Sequence, residues 1–188
     1  MPEALEIVRL WATDYPRMRW KNGAGWTTEI AHAPADDHGF AWRVSIAEVD
    51  ADAPFSVFPG VDRSLLVLAG EGMALVLDEG APVLLRPLGE VLRFPGEASV
   101  RARLLGGPTR DFNVMTRRDR CTHTLALRRP GEPLSLTCSP GHSWLVHVLA
   151  GAAAGVPAGD SFSLPAGPDA TLTIADEATL VVVGLSCR

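Results

Sequence analysis

The chain has little cysteine: Cys121, Cys138 and Cys187 in 188 residues. They are odd in number and form no CxxC pair. Neither a disulfide framework nor a zinc site of trusted spacing is written here, and free buried thiols are expected. Long runs of one charge are also lacking. The formal net charge is −5, and "TRRDR" and "LRRP" are too brief to build the basic field of a nucleic-acid reader. No run reaches the ~20 apolar residues of a membrane span. The longest weakly polar stretch, "SWLVHVLAGAAAGVPAG", is broken by histidine, proline and glycine. The start, "MPEALEIVRL", has neither a basic n-region nor an apolar h-region, so it does not read as a signal peptide. A cytoplasmic protein without membrane or nucleic-acid partners is expected. There is no convincing apolar stripe of helical period, and the glycines of "AGAAAG" argue against a helix there.

What is present is punctuation: 18 glycines and 15 prolines. Between them lie short β-type runs such as "WTTEIA", "AWRVSIAEV", "SLLVLAG", "DFNVMTR" and "ATLVVVGL". Many short strands at regular spacing indicate an all-β barrel or sandwich. A chain of this length suits one large domain or two small ones and buries roughly 70% of its unfolded surface, so it needs no disulfides or metal to be stable. One long segment is echoed. "LLVLAGEGMALVLD…EVLRFPGEASVRARL…DFNVM" reappears as "LVHVLAGAAAGVPAGDSFSLPAGPDATLTI…TLVVVGL", trimmed in the middle. A repeat this long, present twice, predicts two similar barrels. The border falls near "TRRDRC", giving 1–119 and a shorter 120–188 whose sheet N-terminal strands could complete.

Strand, "LAGEG", strand, then G-x5-P-G is the rhythm of cupins. The expected fold class is therefore all-β, a bicupin with two cupin-like β-barrels or jelly rolls in one chain. Metal cupins carry His-x-His-x3-Glu before the first glycine and a further His after the proline. Here those positions fall at Val57, Pro59, Arg63 and Val100. A first-row metal needs imidazole, thiolate or carboxylate donors, so no metal and no cofactor are expected. "WKNGAGWTTEIA", "FAWRVSIAEVDADAPFSVFPGVDRSLLVLAGEGMAL", "RFPGE" and "RDFNVMTRR", in that order, resemble the HutD/Ves family of bicupins. Ala24 stands where that family usually has a third glycine, and Trp26 is bulkier than the pattern. The resemblance implies a link to bacterial histidine utilisation and a non-enzymatic or regulatory role, sensing a breakdown intermediate.

Lys21 and Asn22 precede Gly23 and Gly25. Glycine permits positive φ or a close backbone approach, and the stretch lacks the order of a phosphate loop. It is either a tight corner with Lys21 solvated, or a barrel mouth where Lys21 and Asn22 meet an anion. In "WRVSIAE", Trp42, Val44 and Ile46 alternate with Arg43, Ser45 and Ala47. In "DFNVMTR", Phe112 and Val114 alternate with Asp111, Asn113 and Met115. The polar faces are either solvated or line a ligand-holding barrel. Arg63 takes the place of the missing metal-binding glutamate. Its planar fork suits a carboxylate, and the competing reading is an ion pair with Asp62, Asp111 or another acid. Glu29 could orient Lys21 or Arg43, accept from a ligand, or stand exposed. Cys138-x3-His142-x4-His147 fits no zinc pattern; His147 reads as a core or rim imidazole, and His32 and His38 as solvated. There is no G-x-S-x-G nucleophile elbow.

The candidate ligand-binding set is Lys21, Asn22, Glu29, Arg43, Ser45, Arg63 and Asn113, with no residue assigned as catalytic or metal-binding. It suits a small organic anion, with urocanate or N-formylglutamate indicated on family grounds. The alternative is a metal-independent isomerase or hydrolase using Lys21 or Glu29 as acid–base. "VLLRPLGEVLRF" could pair subunits in a homodimer or close the core between the barrels.

Overall fold

The computed structural model of the protein describes residues 5–35 and 39–188. His38 and the acidic residues Asp36 and Asp37 lie outside the described residues, as does the very start of the chain. The fold is all-β. Apart from one 3-10 turn at Ala12–Asp14, every described element is a strand. No described helix is long and apolar enough to cross a membrane, a statement that concerns helices alone.

The chain divides into two units. One spans Tyr15–Arg120. Its larger sheet has six antiparallel strands in the order β2 (Arg17–Arg19), β3 (Gly25–Ala35), β4 (Gly39–Val49), β11 (Thr109–Arg117), β6 (Val61–Ala69) and β9 (Leu92–Pro95). Its smaller sheet has four: β5 (Ala53–Pro54), β10 (Val100–Leu104), β7 (Met73–Leu77) and β8 (Val83–Leu85). The strands form because β-branched, leucine and aromatic side chains alternate along them, a pattern that fits a pleated, half-buried surface. Val49, Leu65, Val67, Met73, Leu75, Phe94 and Val100 gather into one buried apolar cluster. Burying each such side chain stabilises by about 1.5–3 kcal/mol.

The second unit comprises the N-terminal segment up to Asp14 and Cys121–Arg188. Its main sheet runs β1 (Val8–Leu10), β17 (Ser161–Leu164), β14 (His142–Ala150), β19 (Thr179–Cys187) and β12 (Cys121–Arg128). Two short pairs accompany it: β13 (Leu134–Cys138) with β18 (Ala170–Ile174), and β15 (Ala152–Ala153) with β16 (Val156–Pro157). Phe162, Leu164, Val146, Leu180 and Ile174 are among its buried core residues.

Hydrogen-bonded order repeats between the units. The run β4-β11-β6-β9 has its counterpart in β12-β19-β14-β17, and the pair β5-β10 in β13-β18. The hairpin of β7 and β8 is reduced in the second copy to the two-residue strands β15 and β16. Among the described residues no sheet closes on itself.

The cysteines depart from expectation. Cys121 and Cys187 form a disulfide, and Cys138 alone is free and buried. The two are 66 residues apart in sequence, yet β12 and β19 are antiparallel neighbours that set Cys121 directly opposite Cys187. Spacing along the chain carries no trace of that register.

Candidate functional site

The six-stranded sheet turns one face of β4, β11 and β6 toward a cavity of about 520 Å³ within the Tyr15–Arg120 unit. Register fixes the rows. Met115 lies between Arg43 and Arg63, Asn113 between Ser45 and Leu65, and Asp111 between Ala47 and Val67. Arg43, Ser45, Ala47, Asp111, Asn113 and Met115 therefore share one face, and all six line the cavity together with Arg63. The opposite face, carrying Val44, Ile46, Phe112 and Val114, is buried as well. Both faces of this sheet are covered, which is why the polar face is not a solvated one: Ser45 and Asn113 are each 5% exposed.

The glycine corner supplies the rim. Gly23 adopts φ +73°, in the left-handed region that a side chain disfavours. Gly25 serves differently, since a Cβ there would stand 2.2 Å from the Glu48 carbonyl oxygen. Trp20 N–H donates to the Gly25 carbonyl at 2.9 Å, and Ala24 N–H donates to the Asn22 side-chain oxygen at 3.0 Å. The Asn22 amide thus holds the corner as well as lining the cavity. Lys21 and Asn22 are exposed and belong to the lining.

Arg63 is 5% exposed and ringed by phenylalanines. Its guanidinium carbon lies 4.9 Å from the Phe94 ring centroid and 5.5 Å from those of Phe55 and Phe58. Nη1 donates to the Ser56 carbonyl at 3.2 Å, while the buried Nε has no partner among the described residues. Burial lowers its pKa to about 10; Asp111 opposes that shift and Arg43 adds to it. The group stays a cation at neutral pH. The ion pair with Asp62 weighed from sequence does not form, because Asp62 accepts from Arg118 Nε at 2.8 Å and Arg118 also binds Glu97.

Arg43 Nε donates to Glu29 Oε2 at 2.7 Å, and Glu29 Oε1 lies 2.7 Å from His32 Nδ1. Glu29 is thus engaged behind Arg43 and is not among the cavity-lining residues, unlike the other six candidates. His32 is exposed, as expected, but not merely solvated. His147 lies in the other unit, buried, with Nδ1 2.9 Å from Ser161 Oγ.

Several lining residues lay outside the candidate set. Trp20, Phe55, Phe58 and Met18 make an apolar wall, and Arg19 adds a cation. Asp111 matters most. It is wholly buried, and neither carboxylate oxygen has a hydrogen-bond partner among the described residues. Desolvation pushes its pKa up to about 7, against the pull of Arg63 and of the Asn113 amide. Its signal was its shared parity with Asn113. As for the metal that cupins often hold, the donors do not fit one. Asp111 is the sole carboxylate in the lining, three arginines and a lysine share it, and no His or Cys joins them.

A family model described as HutD matches residues 12–185. HutD from Pseudomonas fluorescens SBW25, solved in a formate condition, is 31% identical with a TM-score of 0.86, over 97% of this chain and all of that one. An uncharacterized 21.2 kDa protein in the hutC 3′ region of Pseudomonas putida is 44% identical over 112 residues, 59% of this chain and 57% of that protein. Protein Ves of Citrobacter koseri is 41% identical over 105 residues, 54% of this chain and 53% of its own length. The chain thus spans little more than half the length of these curated relatives. A cupin 2 conserved barrel domain protein from Leptotrichia buccalis, at 14% identity and TM-score 0.57 over 91% of this chain and 92% of that one, shares the fold alone. Fold, motif order and a match over nearly the whole chain agree, and the chain belongs to the HutD family.

Proposed function

We propose that this protein binds a small organic carboxylate in the cavity of the Tyr15–Arg120 unit and serves histidine utilisation as an accessory or regulatory protein rather than as an enzyme. One observation carries the reading: Arg63 presents a buried, unpartnered N–H in a wall shared with a second arginine, Arg43, with Ser45 on the strand of Arg43 and Asn113 on the strand between the two. A buried donor without a partner is costly, and a carboxylate in its reach would relieve that cost. Lys21 and Asn22 at the rim would meet the anion first. The aromatic wall of Trp20, Phe55 and Phe58 suits a planar, conjugated body. The volume lies within the range of small-molecule pockets. Urocanate fits this description best and N-formylglutamate second; the hutC 3′ region named for the Pseudomonas putida relative supports the same context. We read the duplicated strand order as a bicupin in which the first copy holds the ligand.

Each charge-assisted hydrogen bond contributes about 1.5–3 kcal/mol. Two or three of them, less the cost of association, give affinities on the order of micromolar to millimolar. Millimolar urocanate or N-formylglutamate is expected to raise the melting temperature by about 2–10 °C, and Arg63→Met to remove that rise while the protein still folds. If neither compound moves the melting temperature at 10 mM, the reading fails.

A metal-independent isomerase or hydrolase is a second reading, and Asp111 favours it: a carboxyl poised near neutrality inside a cavity can take and return a proton. Conversion of the bound compound by wild type and not by Asp111→Asn would decide for it.

A further inference from the structure

Charge counting around the cavity wall exposes an imbalance. Arg43 of β4 is neutralised by Glu29 of β3 at 2.7 Å. Arg63 of β6 has one carboxylate beside it in the lining, Asp111 of β11, to which no hydrogen bond ties it. With Asp111 ionised, the inner wall is neutral overall and holds a negative charge next to the space where an anion would sit. With Asp111 protonated, the charge of Arg63 is uncompensated and the carboxyl gains an O–H to donate.

We propose that Asp111 is a ligand-binding residue that acts as a carboxylic acid, so that an anion entering this cavity binds together with one proton. The inference rests on the carboxylate reading above and adds its proton stoichiometry. Two geometric facts support it. Asp111 is 0% exposed, so no water shell stabilises its charge. Asp111 lines the cavity, and among the described residues neither of its oxygens meets a charged partner at hydrogen-bond distance; it stands near Asn113, whose side-chain oxygen is likewise unpartnered and can accept from the acid form. Its pKa of about 7 means that the free site holds a mixture of both forms near neutrality. A second negative charge close by drives the carboxyl further toward its protonated form, as two carboxyls sharing one site do. The other charged groups around it are Arg63, Arg43 with Glu29, and Lys21 and Arg19 nearer the rim. His32 reaches the site only through Glu29. His32 is therefore the control.

The sign follows from linkage. A group whose pKa rises on binding takes up protons, so affinity is highest below pH 7 and falls as pH rises. Isothermal titration with N-formylglutamate and with trans-cinnamate tests this, because neither compound titrates between pH 6 and 8. Comparing buffers of different ionisation enthalpy at pH 7 is expected to give uptake of about half a proton per ligand, with affinity falling on the order of tenfold from pH 6 to pH 8. His32→Gln is expected to keep both effects. Asp111→Asn is expected to bind with no proton uptake and a flat pH profile. Wild type that binds without proton uptake and with unchanged affinity overturns the proposal, as does Asp111→Asn that retains the uptake. Wild type that binds neither probe at any pH from 5.5 to 8.5 overturns the carboxylate reading itself, and this proposal with it.

Discussion

Arg63 and Asp111 stand on adjacent strands, both buried, and no hydrogen bond joins them. That arrangement costs stability in a direction that can be worked out. The Asp111 pKa is raised from 3.8 to about 7 in the folded protein, chiefly by burial. Between those values the unfolded chain gives up its proton and the folded one keeps it, so stability falls as pH rises and levels off above about 7. Each pKa unit corresponds to about 1.4 kcal/mol, so the penalty at pH 8 is on the order of 4 kcal/mol. Asp111→Asn should therefore unfold at higher denaturant than wild type at pH 8, with the gain gone by about pH 3.5. Equal midpoints at pH 8 would remove the argument. Arg43, Ser45 and Asn113 were legible in the sequence because period-2 alternation puts every second residue on one face, and Arg63 because it takes the place of the metal-binding glutamate in the cupin rhythm. Asp111 shares that parity, yet in sequence it looked equally like a partner for Arg63, because burial of both of its oxygens is a tertiary fact. Phe55 and Phe58 were not legible at all: they come from the irregular stretch between β5 and β6, where no period exists.

At the level of the element, the corner between β2 and β3 depends on two glycines for two reasons. The sequence offered positive φ and close approach as alternatives, and each glycine takes one. Gly25→Ala would press a methyl carbon against the Glu48 backbone, which yields less readily than a side chain. A loss of about 1–3 kcal/mol is expected, read as a lower urea midpoint, with weaker ligand binding as the rim shifts. An unchanged midpoint would show that the corner has slack. The same strand explains Glu29. A bulge between Glu29 and Ala31 lets Glu29 pair with Ser45 and His32 with Arg43. Residues three apart thus fall on one face, where strict alternation would have separated them. Alternation in the sequence hides such a slip, so the chain of contacts from Arg43 through Glu29 to His32 was invisible beforehand.

For the whole molecule, the repeat was readable because both copies keep the same punctuation: a long strand ending in Leu-Ala-Gly, then one ending at a proline. How strands pair is a separate matter, and the cysteines show it. Only the antiparallel register of β12 and β19 brings Cys121 and Cys187 together, in a chain whose composition suggested thiols. Such bonds are uncommon in reducing compartments, which bears directly on the cytoplasmic expectation. Closing a loop of 66 residues stabilises by about 2–4 kcal/mol. Cys187→Ser, or reduction of the wild type, should lower the melting temperature by several degrees, and a melting temperature insensitive to reductant would show that the link contributes nothing.

The same bond ties β12, the first strand of the C-terminal segment, to β19, its last. Cys121 through Cys187 is therefore a covalent ring. A protease that cuts anywhere inside it opens the ring without freeing a fragment, and only a reducing gel would reveal that the chain had been severed.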